Sequence, residues 1–373
     1  MNSNPVDTTA LQPITLHGSD ISYFTGKLEN YFRVREIPYE LRSMQLPGDR
    51  RRLEKNVGLM QMPALQLGDG RWMTDTTRII QWFEAEYPQR GLIPGDPLQA
   101  FICLLLEDWA DEWWWRPAMH YRWYYPEGAC LQSRHLADEL MGNHRVPGWL
   151  KRYALRRRQR RGYTSGDGIT RAAVPGVEAA YLRLLDQLQA IFSRRVFLLG
   201  DKPSLADIGL SGPFFRHFAL DPIPLEIIRR RAPAVLEWVA RLWNCRLSSC
   251  SGEWLPGVPD DLGPLLDDIG TSYLPYLCAN VAAVAAGHKR FDLEVGGIAY
   301  RGARYSRYRV WCLQELRAHF DALPTETRQQ ARGLLERHGC WEPLWRQPDL
   351  PLLPGQEQGL PFRADSKMVG VNE

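Results

Sequence analysis

Residues 61–79 constrain the fold of this chain more than any other stretch. Ala64–Leu67 and Arg71–Thr74 are short apolar runs on either side of Gly68-Asp69-Gly70. Glycines flanking an aspartate supply the positive φ that a tight hairpin needs, so the two runs read as paired strands. Pro63 stands just ahead of the first strand, where the ladder does not require its missing N–H. Thr74-Asp75-Thr76 then offers side-chain oxygens at the start of a helix. Ile79, Ile80, Trp82, Phe83 and Tyr87 follow at helical spacing, and Pro88 ends the run. Upstream, Ile14–Gly18 has a strand pattern, a helical stretch runs to about Glu36, and Tyr39–Arg42 reads as a second strand. The first 88 residues therefore predict a β-α-β unit followed by a hairpin and a helix.

Beyond a Pro/Gly linker at 88–96 the pattern turns helical. Residues 97–123 hold Trp109, the run Trp113-Trp114-Trp115, Tyr121 and Trp123. Residues 126–172 are polar, and seven of the eleven residues from Lys151 to Arg161 are basic. This segment reads as a solvated insertion or an oligomer contact. Residues 176–193 return to a clean helical period. In Gly200-Asp201-Lys202-Pro203-Ser204-Leu205-Ala206-Asp207-Ile208, Ser204 stands at an N-cap and Asp207 at N3. That pair predicts a capping box with a structural role. From about 250 onward, residues 260–287 and 304–340 read as helices and Arg290–Tyr300 as a strand pair around Gly296-Gly297. Residues 346–373 read as extended or disordered, and the helical part is long enough to pack on the preceding domain or cover a cleft there.

Composition excludes several classes. The seven cysteines are scattered, odd in number and without CxxC spacing. That argues against a disulfide framework or zinc site and for a reducing, cytoplasmic compartment. Glu107 and Asp111 are four apart, but no histidine joins them at helical spacing, so no metal is expected. A net charge of +3 demands no polyanion, and nucleic acid is not an expected partner. The first residues lack the basic and apolar regions of a signal peptide. The most apolar run, Tyr273–Gly287, is too short to span a bilayer.

The segment with Met62-Pro63 and Asp75-Thr76, and the later Gly200–Ile208 motif followed by Pro233-Ala234-Val235-Leu236-Glu237-Trp238, resemble glutathione transferases in the order of their parts. The resemblance covers roughly residues 14–245, with 126–172 excepted. It implies an α+β thioredoxin-like domain at 14–88 that binds glutathione, and an all-α transferase domain at 97–245. A loose tail at 1–13 precedes them and a mostly helical extension at 250–373 follows. It further implies a cis Pro63, with Gln61, Met62 and Pro63 beside the tripeptide, and Asp75 and Thr76 at its γ-glutamyl end. The N-terminus of a helix suits that carboxylate, and a side-chain carboxylate suits the α-ammonium group.

In the family the group that activates the thiol lies in the loop after the first strand. Gly18-Ser19-Asp20-Ile21-Ser22-Tyr23-Phe24 resembles the serine version of that loop, with Asp20 and Tyr23 where prolines are usual. Ser22 is the first candidate, Tyr23 the second and Ser19 the third. A hydroxyl that donates to the sulfur stabilises the thiolate, which is the nucleophile. By the same resemblance Trp109, Trp113 and Tyr121 are expected to line a hydrophobic site for a small electrophile, and a homodimer is the expected assembly. The expected activity is conjugation or reduction of electrophiles with glutathione as co-substrate. The alternative is a non-catalytic scaffold of the same fold that uses its insertion and extension to hold partners.

Overall fold

A computed structural model describes residues 6–350 apart from 348. The first part runs β1 (Thr15–Gly18), α1 (Tyr23–Arg35), β2 (Glu40–Ser43), α2 (Gly48–Val57), β3 (Ala64–Gln66), β4 (Trp72–Thr74) and α3 (Thr76–Glu86). Its sheet has the order β2-β1-β3-β4. β1 lies parallel to β2 and antiparallel to β3, and β3 pairs antiparallel with β4. This is the thioredoxin-like arrangement expected from the β-α-β opening and the hairpin. Gly70 takes a φ of 88° in the hairpin turn, which glycine accepts without a Cβ clash.

Helices follow: α4 (Pro97–Trp113), α5 (Trp115–Tyr124), α6 (Pro126–Met141), α7 (Gly148–Tyr163), α8 (Val174–Phe192), α9 (Leu205–Pro213), α10 (Pro222–Arg231) and α11 (Pro233–Asn244). The main core runs between α1, α4, α8 and α9. It buries Tyr23, Leu28, Trp109, Leu184, Ile208 and Trp238.

The 126–172 segment differs from its expectation as a solvated insertion. α6 and α7 pack onto the first part through a second apolar cluster. There Leu136, Ala137, Leu140 and Leu155 meet Met44, Leu53, Val57 and Trp72. Leu46 N–H donates to Leu140 O at 3.0 Å, and Gln132 donates to Asp221. The outer faces of α6 and α7 stay in water.

The last part contains α12 (Gly263–Asp268), α13 (Leu274–Ala285), the hairpin β5 (Arg290–Val295) and β6 (Ile298–Arg304), α14 (Arg307–Asp321), α15 (Thr325–Arg337) and α16 (Trp341–Trp345). It docks on α4 and α3. Tyr273 donates to Asp108 at 2.6 Å, Trp109 donates to Asp268 at 3.2 Å, Arg309 pairs with Glu112 at 3.0 Å, and Gln81 donates to Glu315 at 3.2 Å. The expected extended tail at 346–373 lies mostly outside the described residues.

Candidate active site

The sheet register gathers the candidate residues at one edge. His17 of β1, Ala64 of β3 and Thr74 of β4 lie in one row across the strands. The loop carrying Ser22 leaves β1 one residue after that row. Pro63 enters β3 one residue before it, and Asp75 leaves β4 one residue after it. The Met62–Pro63 peptide is cis, and Thr74 Oγ1 donates to Pro63 O at 3.5 Å. Three separate chain segments thus meet at a single end of the sheet, where helices α1 and α3 both begin.

The β1–α1 loop turns because Gly18 has no side chain. A Cβ there would lie 2.5 Å from Thr25 Oγ1. Ser22 caps α1, its Oγ accepting the Thr25 N–H at 3.4 Å. It is half-buried. A capping oxygen acts as an acceptor, so its own proton remains available to another group.

Asp75 caps α3 by accepting the Arg78 N–H at 3.1 Å. Its backbone sits at φ 73°, ψ 114°, a conformation that costs a non-glycine residue about 1–3 kcal/mol. Burial pushes its carboxyl above the usual range, against the opposing pull of the Arg78 N–H and Lys27. A cation brought beside it would favour the charged form. Thr76 is buried at the first turn of α3, while Gln61 and Met62 are half-buried.

Two expectations are corrected by position. Tyr23 follows Ser22 directly, but a step of about 100° around α1 points it inward. It is 1% exposed, and its hydroxyl donates to the carbonyls of Ala110 and Asp111 at 2.9 and 3.1 Å. Its proton is therefore spent on α4, which leaves none for a thiol. Ser19 is likewise buried, and its hydroxyl donates to Glu139 of α6.

The aromatic residues expected to form an open hydrophobic wall are in the core instead. Trp109 is fully buried, Trp113 packs against Tyr276 and Tyr300, and Tyr121 packs against Tyr181. The first two face α12, α13 and β6, which cover the side of α4 that such a wall would use. Aromatic surface nearer Ser22 comes from Phe24 and Trp115, half-buried and stacked at 5.4 Å. Tyr163 of α7 meets Trp115 edge-on at 5.4 Å.

Tyr308 is a neighbour of the site that sequence reasoning missed. Its hydroxyl donates to Asp75 Oδ1 at 3.3 Å, bringing α14 over the start of α3. The only hint in the sequence is the amphipathic run Val310, Leu313, Leu316, Phe320 after Ser306. That run announces a helix but not the surface it seeks.

Ser204 and Asp207 form a capping box at α9. The Asp207 carboxylate accepts four bonds, from Leu198 N, Ser204 N, Ser204 Oγ and Trp238 Nε1, at 2.9–3.1 Å. The pair ties α9 to α11 and is remote from the sheet edge.

Comparison with known proteins bears on both parts. The description "Glutathione S-transferase, N-terminal domain" matches residues 16–91, and "Glutathione S-transferase, C-terminal domain" matches residues 171–241. The two matches leave out α4–α7 and everything after residue 241. Among solved structures, the chain is similar to a GST-like protein from Pseudomonas syringae. Identity there is 16% and the TM-score 0.42, over 61% of this chain and 66% of that one. It is also similar to a glutathione S-transferase from Methylobacterium radiotolerans, solved in complex with glutathione sulfonate. Identity there is 21% and the TM-score 0.35, over 61% of this chain and 89% of that one. A beta-etherase from Sphingobium sp. strain SYK-6 is 18% identical with a TM-score of 0.43, over 61% of this chain and 94% of that one. No curated protein matches the sequence.

Proposed function

For a chain that belongs to the glutathione S-transferase superfamily, we propose a glutathione-dependent transferase whose tripeptide site is the sheet edge shared by Ser22, Met62 and Asp75. The observation that carries this reading is the register. His17, Ala64 and Thr74 stand in one row, so the three segments converge. Asp75 would take the α-ammonium group, and the N-terminus of α3 at Thr76 would take the neighbouring carboxylate. The backbone of Gln61–Met62 would pair with the middle of the extended tripeptide. Ser22, its oxygen already bonded to Thr25 N–H, would donate its proton to the sulfur.

In the reaction the thiolate sulfur attacks an electrophilic carbon and forms the S–C bond. Either a leaving group departs with its electron pair, or a π pair shifts and later takes a proton. The stacked Phe24 and Trp115 offer an apolar flank for such a substrate. A homodimer and a cytoplasmic location are part of the same proposal. Among the described residues no helix is long and apolar enough to cross a membrane.

The test is Ser22→Ala. Hydrogen bonds to charged groups contribute about 1.5–3 kcal/mol, so the bound thiol's pKa should rise by about one to two. Conjugation of an activated chlorobenzene near neutral pH should fall roughly ten- to a hundred-fold, with glutathione affinity little changed. An unchanged rate would remove Ser22 from the mechanism. Tyr23→Phe serves as the control, and should lower stability without moving the thiol pKa.

The second reading is a binding scaffold without conjugation. Tyr308 favours it, because its hydroxyl already sits on the carboxylate that the ligand's ammonium group would need. Glutathione binding by a wild-type chain that conjugates nothing would select this reading.

A further inference from the structure

The outer face of α7 belongs to neither core and to no part of the proposed tripeptide site. Trp149 is 65% exposed, Tyr153 53%, Leu150 40% and the preceding Val146 39%. Tyr153, Arg156, Arg157, Arg160 and Arg161 line a shallow recess of about 460 Å³. At 100° per residue, Trp149, Tyr153, Arg156 and Arg160 form one stripe, with Leu150, Arg157 and Arg161 beside it. The opposite side holds Leu155, which is buried in the second cluster. The helix is thus seated on the protein by one face and presents the other to solvent.

The charge on this face is one-sided. Every Asp, Glu, Lys or Arg from Met141 to Gly166 is basic. Elsewhere arginines are heavily paired, as with Arg309–Glu112 and Arg122–Asp221. Among the described residues, Arg152, Arg157, Arg158 and Arg161 have no carboxylate within ion-pairing distance. The chain holds 46 basic and 43 acidic side chains, so the rest of the sequence carries a slight negative excess once this helix is set aside.

We infer that α7 is a docking face for the surface of an anionic lipid bilayer. A helix that lies in a membrane interface combines aromatic and aliphatic side chains that enter the acyl boundary with Lys and Arg that meet the headgroups. Here Val146, Trp149 and Leu150 form the apolar end, and the arginines continue along the same face for two to three turns. Trp and Tyr suit the boundary because each has an apolar body and a polar tip. A nucleic acid would satisfy the arginines and could stack on Trp149, but it has no apolar interior to take Val146 and Leu150 out of water. A second copy across a two-fold axis would set arginines against arginines.

The test is flotation of the full chain with phosphatidylcholine vesicles, and with vesicles of phosphatidylcholine and phosphatidylglycerol in equal parts. Binding is expected to the anionic vesicles, weakening as salt is raised. Each basic side chain near an anionic surface contributes about five-fold in affinity, so the double variant Arg157→Gln/Arg161→Gln should bind about thirty-fold more weakly. Both residues are exposed and outside the two cores, so the fold should be retained, which circular dichroism checks. Trp149→Ser should also weaken binding, with the remaining affinity more sensitive to salt. Equal binding to both vesicle types, no binding to either, or an unaffected arginine variant would each overturn the proposal. So would tight binding of a single-stranded oligonucleotide by a chain that ignores anionic vesicles.

Discussion

Lys27→Met lowers stability by about 3–5 kcal/mol, the usual cost of removing one partner from a buried ion pair. Lys27 is fully buried at the contact between α1 and α4. Its ammonium lies 2.5 Å from Glu107 and 2.7 Å from Asp111, and it donates to Thr77 Oγ1 at 3.2 Å. Burial works against its charge, but Asp111 and Glu107 outweigh that and hold the ammonium protonated beyond its ordinary range. Without it, two carboxylates stay buried with no cation between them. Burial already pushes the Asp111 carboxyl well up.

The pH dependence of this variant follows by sign. With Lys27 gone, the folded chain favours protonated carboxyls more than the unfolded chain does. The deficit should therefore be larger near pH 7 than near pH 5. Urea midpoints of the two chains at both pH values measure it. A triple variant that adds Glu107→Gln and Asp111→Asn should recover part of the loss. A deficit independent of pH would mean that packing, not charge, is what Lys27 supplies.

Asp207→Ala should cost about 3–4 kcal/mol through a different mechanism. Its four donors lie inside the core between α9 and α11. Each orphaned buried donor costs about 1–3 kcal/mol, partly relieved by relaxation. Asp207→Asn keeps one accepting oxygen and should lose roughly half as much. Thermal denaturation ranks the three chains, and equal loss for Ala and Asn would deny the four-bond account.

The two sites also mark what the sequence made legible. The capping box was readable because Ser204 and Asp207 sit three residues apart in one turn, and local spacing carries the geometry. The hairpin at Gly68-Asp69-Gly70 was readable for the same reason. Strand pairing then put Ser22, Pro63 and Asp75 at one end of the sheet.

What escaped was everything decided by which surfaces meet. Trp109, Trp113 and Tyr121 repeat on α4 and α5 as an apolar face should, but periodicity does not say whether a ligand or another helix covers that face. Here α12, α13 and β6 cover much of it. The basic composition of 126–172 concealed Leu136, Leu140 and Leu155, which are enough to bind two helices to the first part. Tyr23 failed as a candidate because one residue at a helix start separates an outward cap from an inward side chain.

The tripeptide site is the central claim, and calorimetric titration with glutathione tests it most directly. Asp75→Asn is the informative variant. Asparagine caps a helix about as well as aspartate, so α3 should keep its start while the negative charge is lost. The account predicts saturable binding of one glutathione per wild-type chain. It also predicts affinity at least about ten-fold weaker in Asp75→Asn, since a charge-assisted bond contributes about 1.5–3 kcal/mol, with a melting midpoint close to wild type. Equal affinity in the two chains, or no binding of glutathione by the wild-type chain, would contradict it.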